Sequence, residues 1–230
     1  MERYVIHVTK ECNMDCVYCY EKDKTSTYMW EEIKELVDKI VYYNKDSEFD
    51  IEYLGGEPLL AFPHIKRATE YMERIAGDRI TGYGITTNGT ILTEEIIQFM
   101  EQQPKTHWHA SMDGTVHANQ LRIFKDSKKN SHDVVLENHR RLAERIGIGR
   151  VGIHIVTHPF NVALIGKSID HLYRQGVRSI GVGTVESTML IGREYCDRFI
   201  AELDEVSRLI CKGEYPGLNI DLFNWLKPRS

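Results

Sequence analysis

An α/β fold of parallel strands with outer helices is the architecture this sequence predicts, and three observations predict it. Short β-branched runs recur six times along the 230 residues. After each run comes a stretch whose apolar positions are three and four apart, the period of an amphipathic helix. The connections are short, and a strict βα alternation of this kind joins parallel strands through right-handed crossovers. Such strands can form an open sheet or a full or partial barrel. Six βα units are too few to close an eight-stranded barrel, so the expected form is a (β/α)6 partial TIM barrel.

The elements follow in order. RYVIHVT (3–9) reads as the first strand and YMWEEIKELVDKIVYY (28–43) as the first helix. FDIEYLG (49–55) is the second strand, followed by a helix over about 60–75, and ITGYGITT (80–87) is the third strand. Thr93, followed by Glu94 and Glu95, marks a helix start, with a capping hydroxyl and acidic residues where the helix dipole favours them. THWHASM (106–112), VGIHIVT (151–157) and SIGVGTV (179–185) complete the six strands. The polar segment 113–133 reads as a long loop or broken helix above the fourth strand. The run from Arg122 to Arg150 is basic but interrupted by Asp126, Asp133, Glu137 and Glu144, the pattern of a solvated helix face. Cys196 falls on the apolar stripe of the last helix with Phe199, Leu203, Val206 and Ile210, where a buried structural thiol is expected. With no repeat, low-complexity tract or Pro/Gly-rich linker, the expected organisation is one domain over 1–213 and a short C-terminal appendage over 214–230.

Charge excludes some partners. Lys and Arg number 29 against 34 Asp and Glu, a net charge of −5, so there is no phosphate-seeking excess and no nucleic-acid partner is expected. MERYVIHVTK lacks the apolar run of a secretory signal, and no apolar stretch is long enough to span a bilayer. A soluble, cytoplasmic protein without a membrane partner is therefore expected. In that compartment an odd count of five cysteines argues for metal or catalytic thiols rather than a disulfide framework.

Three of those cysteines, Cys12, Cys16 and Cys19, lie in ECNMDCVYCYEK directly after the first strand. Thiolate is the soft ligand of zinc and iron–sulfur clusters, and a structural zinc site needs four ligands. No fourth is local. Three thiolates on a four-iron cluster would leave one iron open to an outside ligand, which means chemistry rather than scaffolding. One strand later, YLGGEPLL (53–60) combines glycines that let backbone approach a ligand with a proline suited to a helix start.

CNMDCVYC resembles the cluster loop of the radical S-adenosylmethionine (SAM) superfamily, and GGEP resembles that superfamily's GGE motif. The resemblance implies a [4Fe-4S] cluster on Cys12, Cys16 and Cys19, and SAM bound to the open iron. It also implies backbone contacts to SAM from Gly55 and Gly56, a Glu57 carboxylate accepting from the SAM ammonium, and Tyr18 near the adenine. TTNGTIL (86–92) and SMDG (111–114) resemble segments of the anaerobic sulfatase maturase and SPASM-type peptide-modifying branch. By that likeness Ser111 and Arg122 contact SAM, Arg122 through the methionine carboxylate, and Val185 touches the adenosyl group. A core valine is the competing reading of Val185, and a solvated loop arginine that of Arg122.

There are departures. Ala118 and Asn119 stand where relatives often show a His-Asp pair before the arginine, and the branch's cysteine-rich C-terminal domain has no counterpart in the 19 residues after Cys211. The function implied is reductive cleavage of SAM and hydrogen abstraction from a peptide or protein side chain, with a low-potential donor such as flavodoxin or ferredoxin. The alternatives are a glycyl-radical-enzyme activase or small-molecule radical SAM enzyme and, in another class, a non-catalytic zinc or electron-transfer protein. No residue is assigned as catalytic acid or base.

The cysteine assignment is testable. Cys12→Ala, Cys16→Ala or Cys19→Ala each abolishes SAM cleavage, whereas Cys196→Ala and Cys211→Ala retain it. Full iron content and SAM cleavage in Cys16→Ala would refute the assignment.

Overall fold

The computed structural model describes residues 2–186 and 191–221. Its strands are β1 (Glu2–Thr9), β2 (Phe49–Gly55), β3 (Ile80–Thr87), β4 (Thr106–Ser111), β5 (Val151–Thr157), β6 (Ser179–Thr184) and β7 (Asn219–Ile220). The helices are α1 (Trp30–Tyr43), α2 (Phe62–Ala76), α3 (Glu94–Gln102), α4 (His132–Ile146), α5 (Ile165–Arg174) and α6 (Arg193–Cys211). The strands follow chain order in one seven-stranded sheet, and the pairs β1/β2, β2/β3, β5/β6 and β6/β7 are parallel. This is the expected α/β class with flanking helices, an open sheet consistent with a partial TIM barrel. Among the described residues no helix is long and apolar enough to cross a membrane.

The chain divides into two compact units, one of Met1–Asn13 with Glu21–His109, the other of Met14–Tyr20 with Ala110–Ser230. In the first unit, alternation sorts each strand's residues onto two faces. Ile6, Val8, Phe49, Ile51, Tyr53, Tyr83 and Ile85 are fully buried, as are Ile33 and Val37 of α1, Ile65 and Met72 of α2, and Ile96 and Met100 of α3. The Tyr53 hydroxyl is satisfied by Thr69 at 2.9 Å. Interleaved on β2 and β4 are Asp50, Glu52, His107 and His109, all half-buried. Helix α1 starts where Glu32 accepts from the Met29 N–H at 2.7 Å, and α3 where Thr93 accepts from the Ile96 N–H at 3.3 Å. Helix α2 begins two residues later than the sequence suggests, because Pro58–Ala61 forms a separate 3-10 turn.

In the second unit, Ile153, Ile155, Ile180 and Val182 of the strands are buried, as are Val135, Leu142, Ile165, Ile169, Leu172 and Val206 of the helices. Residues 113–131 are irregular, with the bridge Ile123↔Asn130 inside them and the bridge Met14↔Phe124 to the cysteine loop, and 132–133 begin α4. Of the basic run, Arg140 lies on the exposed side of α4 and pairs with Glu137 and Glu144, whereas Arg122, at its start, is outside the helix and buried.

Two differences from expectation have clear causes. The seventh strand lies in the expected appendage, which from residue 222 onward is outside the described residues. Gly213 (φ 82°) and Gly217 (φ 76°) take left-handed conformations after α6, and the turn brings the Asn219 N–H to the Arg178 carbonyl at 2.8 Å. Cys196 is exposed, not buried as expected. The buried stripe of α6 runs through Tyr195, Leu203 and Val206, one position away from Cys196 and Ile200.

That phase is testable. Val206→Ala, at a fully buried position, lowers unfolding free energy by about 2 kcal/mol, whereas Ile200→Ala, 57% exposed, changes it by under about 0.5 kcal/mol. Urea denaturation of both variants checks the difference, and equal losses would refute the assigned face.

Candidate active site

In the first unit the site elements converge on Glu57. Glycine is obligatory at 55 and 56, because a Cβ at Gly55 would collide with the Thr9 carbonyl and one at Gly56 with the carbonyls of Lys10 and Glu11. This close approach lets the Gly56 N–H donate to Thr9 at 3.0 Å and the Glu57 N–H to Glu11 at 2.7 Å. The GGE turn is thereby fixed to the start of the cysteine loop.

The Glu57 side chain is fully buried. Its Oε1 accepts from the Thr87 hydroxyl at 2.6 Å and the Leu59 N–H at 3.0 Å, and its Oε2 from the Asn88 N–H at 2.6 Å. Burial pushes its carboxyl up to about 7, although the three donors oppose the shift. Asn88 in turn donates to Asn13 at 2.7 Å and lies 3.8 Å from Cys12 Sγ, while Asn13 donates to Thr90 at 2.9 Å. A chain of polar contacts therefore runs from Glu57 through the TNG segment to Cys12.

In the second unit the corresponding centre is Asp113, 1% exposed at the end of the S-x-D-G segment. Its Oδ1 accepts from Arg122 Nε at 3.0 Å and from the Val156 N–H at 3.1 Å, and its Oδ2 from the Tyr18 hydroxyl at 2.6 Å. Burial would lower the Arg122 guanidinium, but the Asp113 charge outweighs it and keeps the arginine protonated. Burial also raises the Tyr18 phenol well above its ordinary range, so it remains a donor. Arg122 sits over the Tyr18 ring at 5.3 Å, and His158 packs against the same ring at 5.0 Å. Burial lowers His158, which accepts from the Phe160 N–H at Nδ1. Its proton then resides on Nε2, 3.9 Å from Asp113 and without a hydrogen-bond partner. Tyr18 lies between Cys16 and Cys19, so this cluster anchors the second half of the cysteine loop. Backbone bonds from Asp15 to Ile123 at 2.9 Å and from Val17 to Leu121 at 3.1 Å extend the anchor.

Cys12, Cys16 and Cys19 are each half-exposed, unlike the exposed Cys196 and Cys211. Among the described residues no three His, Cys, Asp or Glu side chains are gathered in metal-binding geometry. The fit to an iron–sulfur cluster therefore rests on donor chemistry: three soft thiolates on one loop, partly open to solvent. Ser111 ends β4, half-buried. Arg122 is buried rather than solvated, and Val185 is 4% exposed with its N–H on the Thr157 carbonyl at 2.9 Å. Asn119 accepts from the Asp113 N–H at 2.9 Å and donates to Asn130 and Ser131. Buried Ala118 and Asn119 thus serve the loop's own structure.

Sequence reasoning missed Asp113, Asn88 and His158. The first two lay inside segments already singled out, and an acidic or amide residue flanked by a glycine at a strand end was the available signal. His158 gave none.

A family model of the radical SAM superfamily matches residues 6–172. The chain belongs to the radical SAM superfamily. Enzymes of this superfamily use a [4Fe-4S] cluster and SAM, and both are this chain's cofactors. It is 26% identical over 218 residues to an uncharacterised protein of Methanocaldococcus jannaschii, covering 94% of this chain and 73% of that protein. Over 100 residues it is 30% identical to the serine-type anaerobic sulfatase-maturating enzyme of Bacteroides thetaiotaomicron, covering 40% of this chain and 24% of that enzyme. Native anSMEcpe with bound AdoMet and Cp18Cys peptide superposes with a TM-score of 0.82 at 16% identity, covering 97% of this chain and 63% of that one. At that identity the likeness shows the fold, and this radical SAM chain spans less than two thirds of that structure.

Two outcomes follow from the buried carboxylates. Asp113→Asn leaves the Arg122 charge buried without its counterion and costs about 3–5 kcal/mol in denaturant unfolding. Lys128→Ala, which breaks the exposed pair with Asp15, leaves the midpoint unchanged. Equal midpoints for Asp113→Asn and wild type would refute the anchoring role.

The Glu57 carboxyl titrates near 7 in the fold against 4.5 in the unfolded chain. Its raised value makes the folded state bind more protons in that window, so its stability contribution is full below about 4.5 and lost as pH rises through about 7. Relative to Glu57→Gln, the wild type loses stability across that window by up to about 1.4 kcal/mol per pH unit. Parallel profiles for the two proteins would contradict the shift.

Proposed function

We infer that this chain is a radical SAM enzyme that cleaves SAM reductively and abstracts hydrogen from a peptide or protein side chain. The observation that carries the reading is the linkage of Glu57 to the start of the cysteine loop and, through Asn88, to Cys12. Two motifs separate in sequence are thereby built into one hydrogen-bonded framework. The cluster, when bound, supplies the electron that converts SAM to methionine and a 5′-deoxyadenosyl radical.

In this reading Cys12, Cys16 and Cys19 hold the cluster. Gly55, Gly56 and Glu57 face the SAM ammonium, Ser111 and Arg122 its carboxylate side, and Tyr18 and Val185 its adenosyl part. Glu57 is satisfied by Thr87, Leu59 and Asn88, so its contribution is to fix the turn that presents backbone groups. Arg122 commits Nε to Asp113, which orients the guanidinium. A low-potential donor, flavodoxin or ferredoxin, supplies the electron.

The peptide half of the reading draws support from anSMEcpe, a fold relative bound to a peptide. Segment 113–133 is the element proposed to help hold the substrate, since loops beside a site on a rigid scaffold commonly bind ligands.

The test is anaerobic incubation of the reconstituted chain with SAM, a strong reductant and deuterium-labelled peptides encoded near its gene. The expected result is deuterium in 5′-deoxyadenosine and a mass shift in one peptide. Deuterium arriving from a small metabolite and from no peptide would overturn the peptide reading. Absence of 5′-deoxyadenosine would overturn the enzymatic one.

A further inference from the structure

The polar face of the first unit's sheet carries a cavity of about 310 Å³ that none of the roles above uses. Asp50, Glu52, His107 and His109 line it, with Gly82 and Gly84 as its floor. Strand register explains the floor. Asp50 pairs with Gly82 and Glu52 with Gly84, so each acidic side chain on β2 has a glycine directly beside it on β3. A Cβ at Gly84 would collide with the Glu52 carboxylate, so this carboxylate lies flat on the sheet only because residue 84 is glycine.

The two carboxylates differ in what satisfies them. Asp50 is paired with Arg3 at 3.2 Å and also accepts from the Thr81 hydroxyl. Among the described residues Glu52 accepts only from the Thr86 hydroxyl, at 2.6 Å through Oε1. Among the described residues it is in no ion pair, the lining's Arg3 being paired with Asp50, and Oε2 lies over Gly84 towards the cavity. Thr86 is two positions nearer the C-terminal end of β3 than Gly84, so its bond tilts the carboxylate towards that end. Along β2, Glu52 precedes Gly55 by three residues, or about 10 Å. A half-buried carboxylate with one oxygen held and the other open is a receptor for a positively charged donor.

We propose that Glu52, on its glycine floor and flanked by His109, is a specificity-determining anchor for an ammonium or guanidinium group of the substrate. Resting on the peptide reading above, the substrate is then a peptide whose basic side chain reaches down the sheet from the strand ends. Thr86 is a positioning residue, and Gly84 provides the space.

The experiment uses the full chain with its cluster reconstituted and measures equilibrium binding of three acetylated, amidated pentapeptides. Each has glycines around a central lysine, norleucine or glutamate. The wild type is expected to bind the lysine peptide about tenfold or more tightly than the norleucine one, the scale of a hydrogen bond to a charged group, and the glutamate peptide most weakly. Glu52→Gln and Gly84→Ala each erase the lysine preference while the thermal melt stays cooperative. A preference that survives both substitutions, or equal binding of lysine and norleucine peptides, overturns the anchor and leaves the peptide reading standing. A free diamine, 1,5-diaminopentane, separates the other case. If it binds with the same Glu52 dependence while no peptide does, the anchor stands and the peptide reading falls. If neither the diamine nor any peptide binds with a charge preference, the anchor is wrong.

Discussion

A carboxylate taken out of water must be met by donors where it stands, and Asp113 imposes that demand on the second unit. Its two oxygens are met by Arg122, Tyr18 and the Val156 N–H. Each partner belongs to a different part of the chain: the irregular segment after β4, the cysteine loop and strand β5. One buried charge thus ties the cysteine loop and the irregular segment to strand β5. Breaking such a pair from one side leaves an uncompensated charge, which is why the arrangement tolerates so little change. Glu57 plays the corresponding part in the first unit, with neutral donors in place of a cation. Its carboxyl is therefore pushed up by burial.

Parallel strands gather their C-terminal ends and the loops that follow them. Cys12 follows β1, Gly55 to Glu57 end β2, Asn88 follows β3, and Ser111 and Asp113 end and follow β4. These candidate residues are separated in sequence, yet each ends or follows a strand. On the strands themselves the polar face is kept open by glycine, at Gly82 and Gly84 beside Asp50 and Glu52, and at Gly181 beside His154. A Cβ would collide with the neighbouring polar side chain at Gly84 and Gly181, whereas at Gly82 it would make ordinary contact with Asp50.

The strands were legible because β-branched runs and their spacing report directly on which residues can be buried. The bounds of β2, β3 and β5 agree with the sequence reading residue for residue. The cysteine loop and GGEP were legible because few other uses explain those residues at that spacing. The Asp113 cluster was not, since Tyr18, Arg122 and His158 are brought together only by tertiary folding. Arg122 shows the difficulty best: in a polar segment it reads as solvated, and only the position of Asp113 makes its burial affordable. Cys196 failed for a smaller reason: the stripe read from sequence holds at Leu203 and Val206, but at its start Tyr195 is buried in place of Cys196, and one residue is 100° on a helix. The strand at Asn219–Ile220 was missed because two residues give no periodicity.

The chain's own hydrogen bonds shape the second half of the cysteine loop. Amide hydrogen exchange on the metal-free chain tests this most directly, at Asp15 and Val17, whose N–H groups bond to Ile123 and Leu121, and at Cys19, bonded to Cys16. The predicted result is exchange far slower than in an unfolded chain at all three positions, with the protection lost in Asp113→Asn under conditions where β5 and β6 stay protected. Exchange at unfolded-chain rates until the cluster is assembled would contradict it.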